Sequence, residues 1–315
     1  MASTIFSTIY DSVDGKLDMF LNERLTDVVD VIRGPLAVGL VIYIALFGFM
    51  VMRGIISEPW GELFARMVKL CILYMAATTV AYSEWITNPL FHGMPDAIAQ
   101  ALAGKTIGSA GEVFDKYFGQ VDDVIRLIRT EAETYLDINP WKLVLLALAI
   151  VIYALAGLSA AIGFAITIFA KVALAIIIAL GPVFIALALF EPTRRFFHGW
   201  LGQAFNYITL MAVIIAITTL IADLGSAALA EAESNSDVTI AAVIYSVYLF
   251  LGTIFFFQAP AIATGIAGGA AAGVGAFAGT AWGTMASPFR QRRIMQNSRN
   301  LERAARRGGS IEATS

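Results

Sequence analysis

Charge is what this chain has least of. Asp, Glu, Lys and Arg make up only 14% of its 315 residues, against 58% hydrophobic ones, where a soluble domain carries about 25% charge. No soluble fold of this length hides so much apolar surface, so a water-soluble enzyme or carrier is excluded. A single cysteine, Cys71, rules out an intrachain disulfide framework. Two histidines, His92 and His198, leave little for a metal site, and neither a metal nor another cofactor is expected. The apolar segments hold no Ser/His/Asp, Cys/His or paired-carboxylate set at usable spacing, so the chain reads as a non-enzyme. A cleavable signal peptide needs a basic start and an early apolar core, and residues 1–33 have neither.

What the chain does have is long uncharged runs separated by polar segments of unequal sign. Residues 1–33 are amphipathic, with Ile5, Phe6, Ile9, Val13, Leu17, Phe20 and Leu21 at helical spacing and acidic residues in excess. Gly34 to Met52 is uncharged and matches one bilayer crossing. Leu70 to Ser83, extended by Phe64–Val68 and Trp85-Ile86, makes a second, with Lys69 able to snorkel. The polar insertion 84–139 carries nine acidic and four basic residues. Inside it Val113, Phe114, Tyr117, Phe118, Val121, Val124, Ile125 and Ile128 form an apolar stripe of helical period, the mark of an ordered amphipathic helix.

Leu143 to Phe190 holds one charge, Lys171, and is far longer than one crossing requires. Glu191-Pro192-Thr193-Arg194-Arg195 ends it, and a second apolar run reaches Ala222. Residues 223–237 are acidic. A bulky span follows from Val238 to Phe257, then a Gly/Ala-rich stretch past Pro260 and a basic tail with Arg290, Arg292, Arg293, Arg299, Arg303, Arg306 and Arg307.

The expected fold is therefore all-α: a polytopic α-helical membrane protein with about five transmembrane helices and additional amphipathic helices outside the membrane. Its expected divisions are 1–33, an amphipathic outer segment; 34–83, the first two spans; 84–139, the outer insertion; 140–222, the central membrane region; 223–237, a short acidic outer loop; 238–259, the last span; and 260–315, the Gly-rich segment and tail. The positive-inside rule places the tail, 53–69 and 191–199 in the cytoplasm and the acidic segments outside. With five spans, part of 143–170 is re-entrant, interfacial or buried in protein. The alternative is seven spans, with a hairpin near Gly163–Lys171 and the Gly-rich run crossing. It would put Arg194-Arg195 outside and the acidic 223–237 inside, against that rule.

Few residues suggest chemistry. Ala99–Thr106 fits a relaxed phosphate-loop pattern through Gly104-Lys105-Thr106. Its preceding residues read as helix rather than strand, so Gly104 reads as a helix C-cap. Lys171, the one charge deep in an apolar run, is either a snorkelling side chain or a functional one. Gly181-Pro182 breaks a long helix, as a kink or as a transport-site break. Gly265, Gly269 and Gly273 recur at four-residue spacing, which suits close helix packing within one subunit or between subunits. Arg194, Arg195 and the tail suit anionic lipid.

The run Gly181-Pro182-Val-Phe-Ile-Ala-Leu-Ala-Leu-Phe190-Glu-Pro192-Thr-Arg194-Arg195-Phe-Phe-His-Gly-Trp200 resembles the polytopic inner-membrane subunit family of type IV secretion systems. So does Gln258-Ala-Pro260-Ala-Ile-Ala-Thr-Gly-Ile-Ala-Gly268-Gly269, like that family's Pro-then-Gly-Gly element. The resemblance implies a non-enzymatic subunit in the bacterial inner membrane, with its N-terminus periplasmic and C-terminus cytoplasmic. Such a subunit oligomerises at the base of the stalk, supports pilus assembly and takes part in passing DNA or protein. The partners it implies are further copies of itself, major and minor pilins, a bitopic inner-membrane scaffold protein and cytoplasmic secretion ATPases. On that reading the insertion meets periplasmic partners, docking them through Phe114, Phe118, Val121 and Ile125. The competing functions are a small-molecule transporter or channel, and a membrane-anchored interaction protein with no role in passage. Against transport, the spans hold almost no ionisable residue to bind or couple a substrate.

Overall fold

The computed structural model describes residues 4–54, 60–78, 82–103, 109–135, 139–235 and 238–268. Eight α-helices occupy them: α1 (Ile5–Met52), α2 (Trp60–Thr78), α3 (Met94–Ala103), α4 (Ala110–Glu133), α5 (Pro140–Ala179), α6 (Gly181–Leu187), α7 (Arg194–Asn235) and α8 (Val238–Gly268). Two π-helical turns, Ser83–Thr87 and Pro89–Gly93, connect α2 to α3, and a 3-10 turn, Glu191–Thr193, leads into α7. No strand occurs among the described residues. This is the all-α polytopic fold that the apolar runs predict. The relaxed phosphate-loop residues Gly104-Lys105-Thr106, Gly269 and the basic tail lie outside the described residues.

Four stretches among the described residues are long and apolar enough to cross a bilayer: α1, α5, Glu191–Ala230 and α8. α2, read from sequence as a span, has only 19 residues and includes Glu62, Arg66 and Lys69. Both α1 and α5 greatly exceed one crossing. At about 1.5 Å per residue, 48 residues in α1 make a rod of about 72 Å, and 40 in α5 one of about 60 Å. The amphipathic segment 1–33 and the first apolar run are thus a single helix, continuous through Pro35. α5 runs unbroken through Gly163–Lys171, where the seven-helix alternative requires a hairpin.

Local chemistry sets these ends. Asn139 caps α5 by accepting a hydrogen bond from the Trp141 N–H at 2.9 Å, and Pro140 follows at the first helical position, where its missing N–H costs nothing. The break between α5 and α6 falls at Leu180, with Pro182 in the first turn of α6. The fold needs Gly181 there, because a Cβ would overlap the Tyr82 hydroxyl and the Trp200 ring. Tyr82 donates to the Ile178 carbonyl at 2.5 Å and Trp200 Nε1 to that of Ile177 at 2.8 Å. These two carbonyls lie in the last turn of α5, so side chains from distant segments satisfy groups near a helix end.

Two apolar cores result. One gathers Tyr10, Leu21, Leu25, Tyr82, Phe91, Phe164, Leu174, Ile178, Trp200 and Phe256 around the middle of the bundle. The other joins Tyr117, Val121, Val124 and Ile128 of α4 to Leu145, Ile152 and Ala156 of α5, Ile221 of α7 and Tyr245 and Leu249 of α8.

Candidate functional site

The most concentrated polar chemistry among the described residues lies where the N-terminal half of α1 crosses α5. Lys171 is 1% exposed and does not snorkel. Its ammonium approaches Asp14 Oδ1 at 2.5 Å, donates to the Tyr10 hydroxyl at 2.8 Å, and sits 4.3 Å from the Tyr10 ring centroid and 5.1 Å from that of Phe91. A lone ammonium in an apolar bundle is costly, and an opposed carboxylate with two aromatic faces offsets that cost. Tyr10, Asp14 and Asp18 recur at four-residue intervals and so share one face of α1. His92, on the second π-helical turn, meets Asp18 at 2.9 Å between Nε2 and Oδ1. Asp96, one turn further along, is near enough to feel Lys171, His92 and Asp14. Burial raises its pKa above the ordinary carboxylate value, while Lys171 and His92 pull the other way.

A second polar contact fixes the start of α1. The Asp115 carboxylate of α4 accepts from the N–H groups of Phe6 and Ser7, at 2.9 Å each. Those two N–H groups belong to the first helical turn and have no partner within their own helix. The approach is close because position 111 is glycine: a Cβ there would lie 2.6 Å from the Ser7 Cα. Asp115, Asp14 and Asp18 thus tie about the first four turns of α1 to α4, α5 and the connection after α2.

The residues singled out from sequence fall as follows. Phe114 and Val121 are fully buried, packed within the chain rather than presented to a partner. Phe114 faces Phe6, Phe164 and Phe256. Phe118 packs on Phe6 and Tyr153, and both Phe118 and Ile125 support the second core. The face read as a docking surface is therefore covered within the chain at Phe114 and Val121, while Phe118 and Ile125 are half-buried. What α4 leaves exposed is its charged side, including Lys116, Asp123, Arg126 and Arg129. Arg194 and Arg195 open α7, and Trp200, read as part of the turn motif, is buried against Phe184 and Phe197. Pro260 lies inside α8 and Gly268 is its last residue; neither Gly265 nor Gly268 has a neighbour where a Cβ would stand.

Sequence reasoning missed the partners of Lys171. It also rotated the buried face of α1: Ile5 and Ile9 are 60% and 45% exposed, while Tyr10, Leu21 and Leu25 are buried. The signal was present in the four-residue spacing of Tyr10, Asp14 and Asp18, which places acidic groups beside the Phe6, Leu17 and Leu21 side of the helix. Nothing in the sequence names His92 as the group they meet.

A family model described as "TrbL/VirB6 plasmid conjugal transfer protein" matches residues 40–259. The type IV secretion system protein VirB6 of Bartonella henselae is 28% identical over 222 residues, covering 67% of this chain and 65% of the relative. Its counterpart from Bartonella quintana is 27% identical over the same length, and that of Brucella abortus 22% over 233 residues. The match spans about two thirds of the length of these curated relatives. The matched region runs from the apolar half of α1 through most of α8, and on that extent the chain belongs to the TrbL/VirB6 family, whose curated members in Bartonella and Brucella are type IV secretion system proteins.

Proposed function

We propose that this chain is a non-enzymatic subunit of the inner-membrane complex of a type IV secretion system. In this role it oligomerises at the base of the stalk, supports pilus assembly and takes part in passing DNA or protein. The observation that carries the reading is the family match across residues 40–259, nearly the whole membrane-length bundle. Membership implies contact with other components of the system. The major and minor pilins, the bitopic scaffold and the cytoplasmic ATPases are the partners this role requires.

The proposed orientation has the N-terminus in the periplasm and the C-terminus in the cytoplasm. The excess of acidic residues in 1–33 and 84–139 supports it. So does the packing of α1 on α4, because two segments that charge assigns to the same side are joined by Asp115. The length of α5 fits as well: the part before Lys171, packed on α4 and the N-terminal half of α1, would stand outside the bilayer within protein, and the stretch from Lys171 through α6 would cross. With the apolar stripe of α4 turned inward, periplasmic partners meet its charged face.

The test is to tag the C-terminus, extract in mild detergent and identify what copurifies and at what size. A large assembly containing pilin, scaffold and secretion ATPases supports the proposal. A small oligomer without them, from membranes that yield intact machines, refutes it.

A further inference from the structure

Asp14, Asp18 and His92 each offer a ligand atom, and the three atoms lie within 4.8 Å of one another. We propose that this cluster binds a divalent first-row transition-metal ion, and that the ion fastens the N-terminal half of α1 to the Pro89–Gly93 turn.

Three features carry the assignment. The first is the donor set. An imidazole nitrogen with two carboxylate oxygens suits zinc or manganese, whereas magnesium and calcium favour oxygen alone. The thiol Cys71 is exposed and is not part of the cluster. The second is the balance of charge. Asp14, Asp18 and nearby Asp96 are opposed by Lys171 alone when His92 is neutral, which leaves a formal excess of two negative charges among half-buried side chains. A divalent cation cancels that excess. The third is Asp14 itself. Its Oδ1 is shielded from solvent and stands 2.5 Å from the Lys171 ammonium. One carboxylate oxygen can serve the ammonium and the other the metal.

The backbone supplies the geometry. Asp14 and Asp18 stand one helical turn apart and point the same way. His92 is brought to them by a π-helical turn, a conformation that often aims a side chain at a functional site. Three protein ligands would leave at least one position for water. The ion's effect would be structural, joining two segments far apart in sequence.

The experiment uses the full-length protein in detergent, stripped with EDTA and then dialysed against Zn2+, with Mn2+ run in parallel. Bound metal is counted by mass spectrometry, affinity by calorimetry, and stability by thermal unfolding. The proposal expects about one ion per chain and a higher unfolding temperature with metal. His92→Ala and Asp18→Asn should each weaken binding about tenfold or more, while His198→Ala and Cys71→Ser leave it unchanged. Asp18 is partly exposed, so its amide variant keeps the test valid if the histidine variant folds poorly. Binding that persists in both cluster variants, binding lost with His198 or Cys71 instead, or no binding by the wild type would each overturn it.

Discussion

Replacing Asp14 by Asn tests whether the buried ammonium depends on its carboxylate. The variant keeps the shape of the side chain and removes its charge. It leaves Lys171, 1% exposed, with the Tyr10 hydroxyl and two aromatic faces. Removing one partner of a fully buried ion pair costs about 3–5 kcal/mol, because the remaining charge is stranded. The Asp14 side chain is 24% exposed, so some of that interaction is already screened and about 2–4 kcal/mol is expected. Lys171→Met makes the opposite deletion with similar bulk. Here the stranded group is the carboxylate, which water and His92 can reach, and the cost falls to about 1–2 kcal/mol. The double variant removes both charges and should recover much of the loss, with a coupling above about 1 kcal/mol. The assay is thermal or denaturant-driven loss of helix in detergent with EDTA present, so that no cation contributes. Additivity of the two single effects within about 0.5 kcal/mol would refute the argument. So would a Lys171→Met variant less stable than Asp14→Asn.

Four further outcomes follow from the same contacts. Asp115→Ala removes the acceptor for the Phe6 and Ser7 N–H groups; a loss of about 1–2 kcal/mol is expected, with faster amide exchange at the start of α1, and unchanged exchange would count against it. Gly181→Ala should lower the yield of folded protein by colliding with the Tyr82 hydroxyl, and Tyr82→Phe in the same chain should restore part of it; equal yields for the single and double variants would refute the collision. Val121→Asp places a charge in the second core and should reduce the amount of folded protein, whereas Arg126→Glu on the exposed face should change stability by no more than about 0.5 kcal/mol; a Val121→Asp protein of normal stability that fails only in partner binding would restore the docking role of that stripe. Asp96 has a raised pKa, so the folded state favours its protonated form. The stability this contributes is present below the unfolded carboxylate pKa and is lost as pH rises through the folded value. Asp96→Asn should therefore be at least as stable as the wild type at neutral pH, with any gain shrinking on acidification, and a loss of stability confined to neutral pH would refute this sign.

The sequence shows those parts of the fold that hydrophobicity alone determines. Uncharged runs became α5, α7 and α8, the stripe in the insertion became α4, and Gly181-Pro182 fell where one helix stops and another starts. It does not show where an apolar surface finds its cover. The stripe through Phe114 and Val121 has the same period whether it meets a partner or its own chain, and only the structure supplies Phe164 and Phe256 as its neighbours. The same gap hid the charge cluster. Lys171 stood out because it interrupts an apolar run, whereas Asp14, Asp18 and Asp96 look ordinary among the acidic residues of polar segments. Their significance is relational: Asp14 matters because a helix begun far along the chain brings an ammonium to it. Most of the long run 143–190 proves to be one unbroken helix, ending at Ala179. A run too long for one crossing could fold back on itself or continue straight beside other helices. The unbroken α5 excludes a fold-back at Gly163–Lys171, and Lys171, about two turns from the C-terminal end of that helix, pairs with Asp14 of a neighbour at that level. α1 is long enough to be that neighbour and to enter the bilayer as well. The two long helices cover each other where they meet, at Tyr10 and Asp14 of α1 and Lys171 of α5.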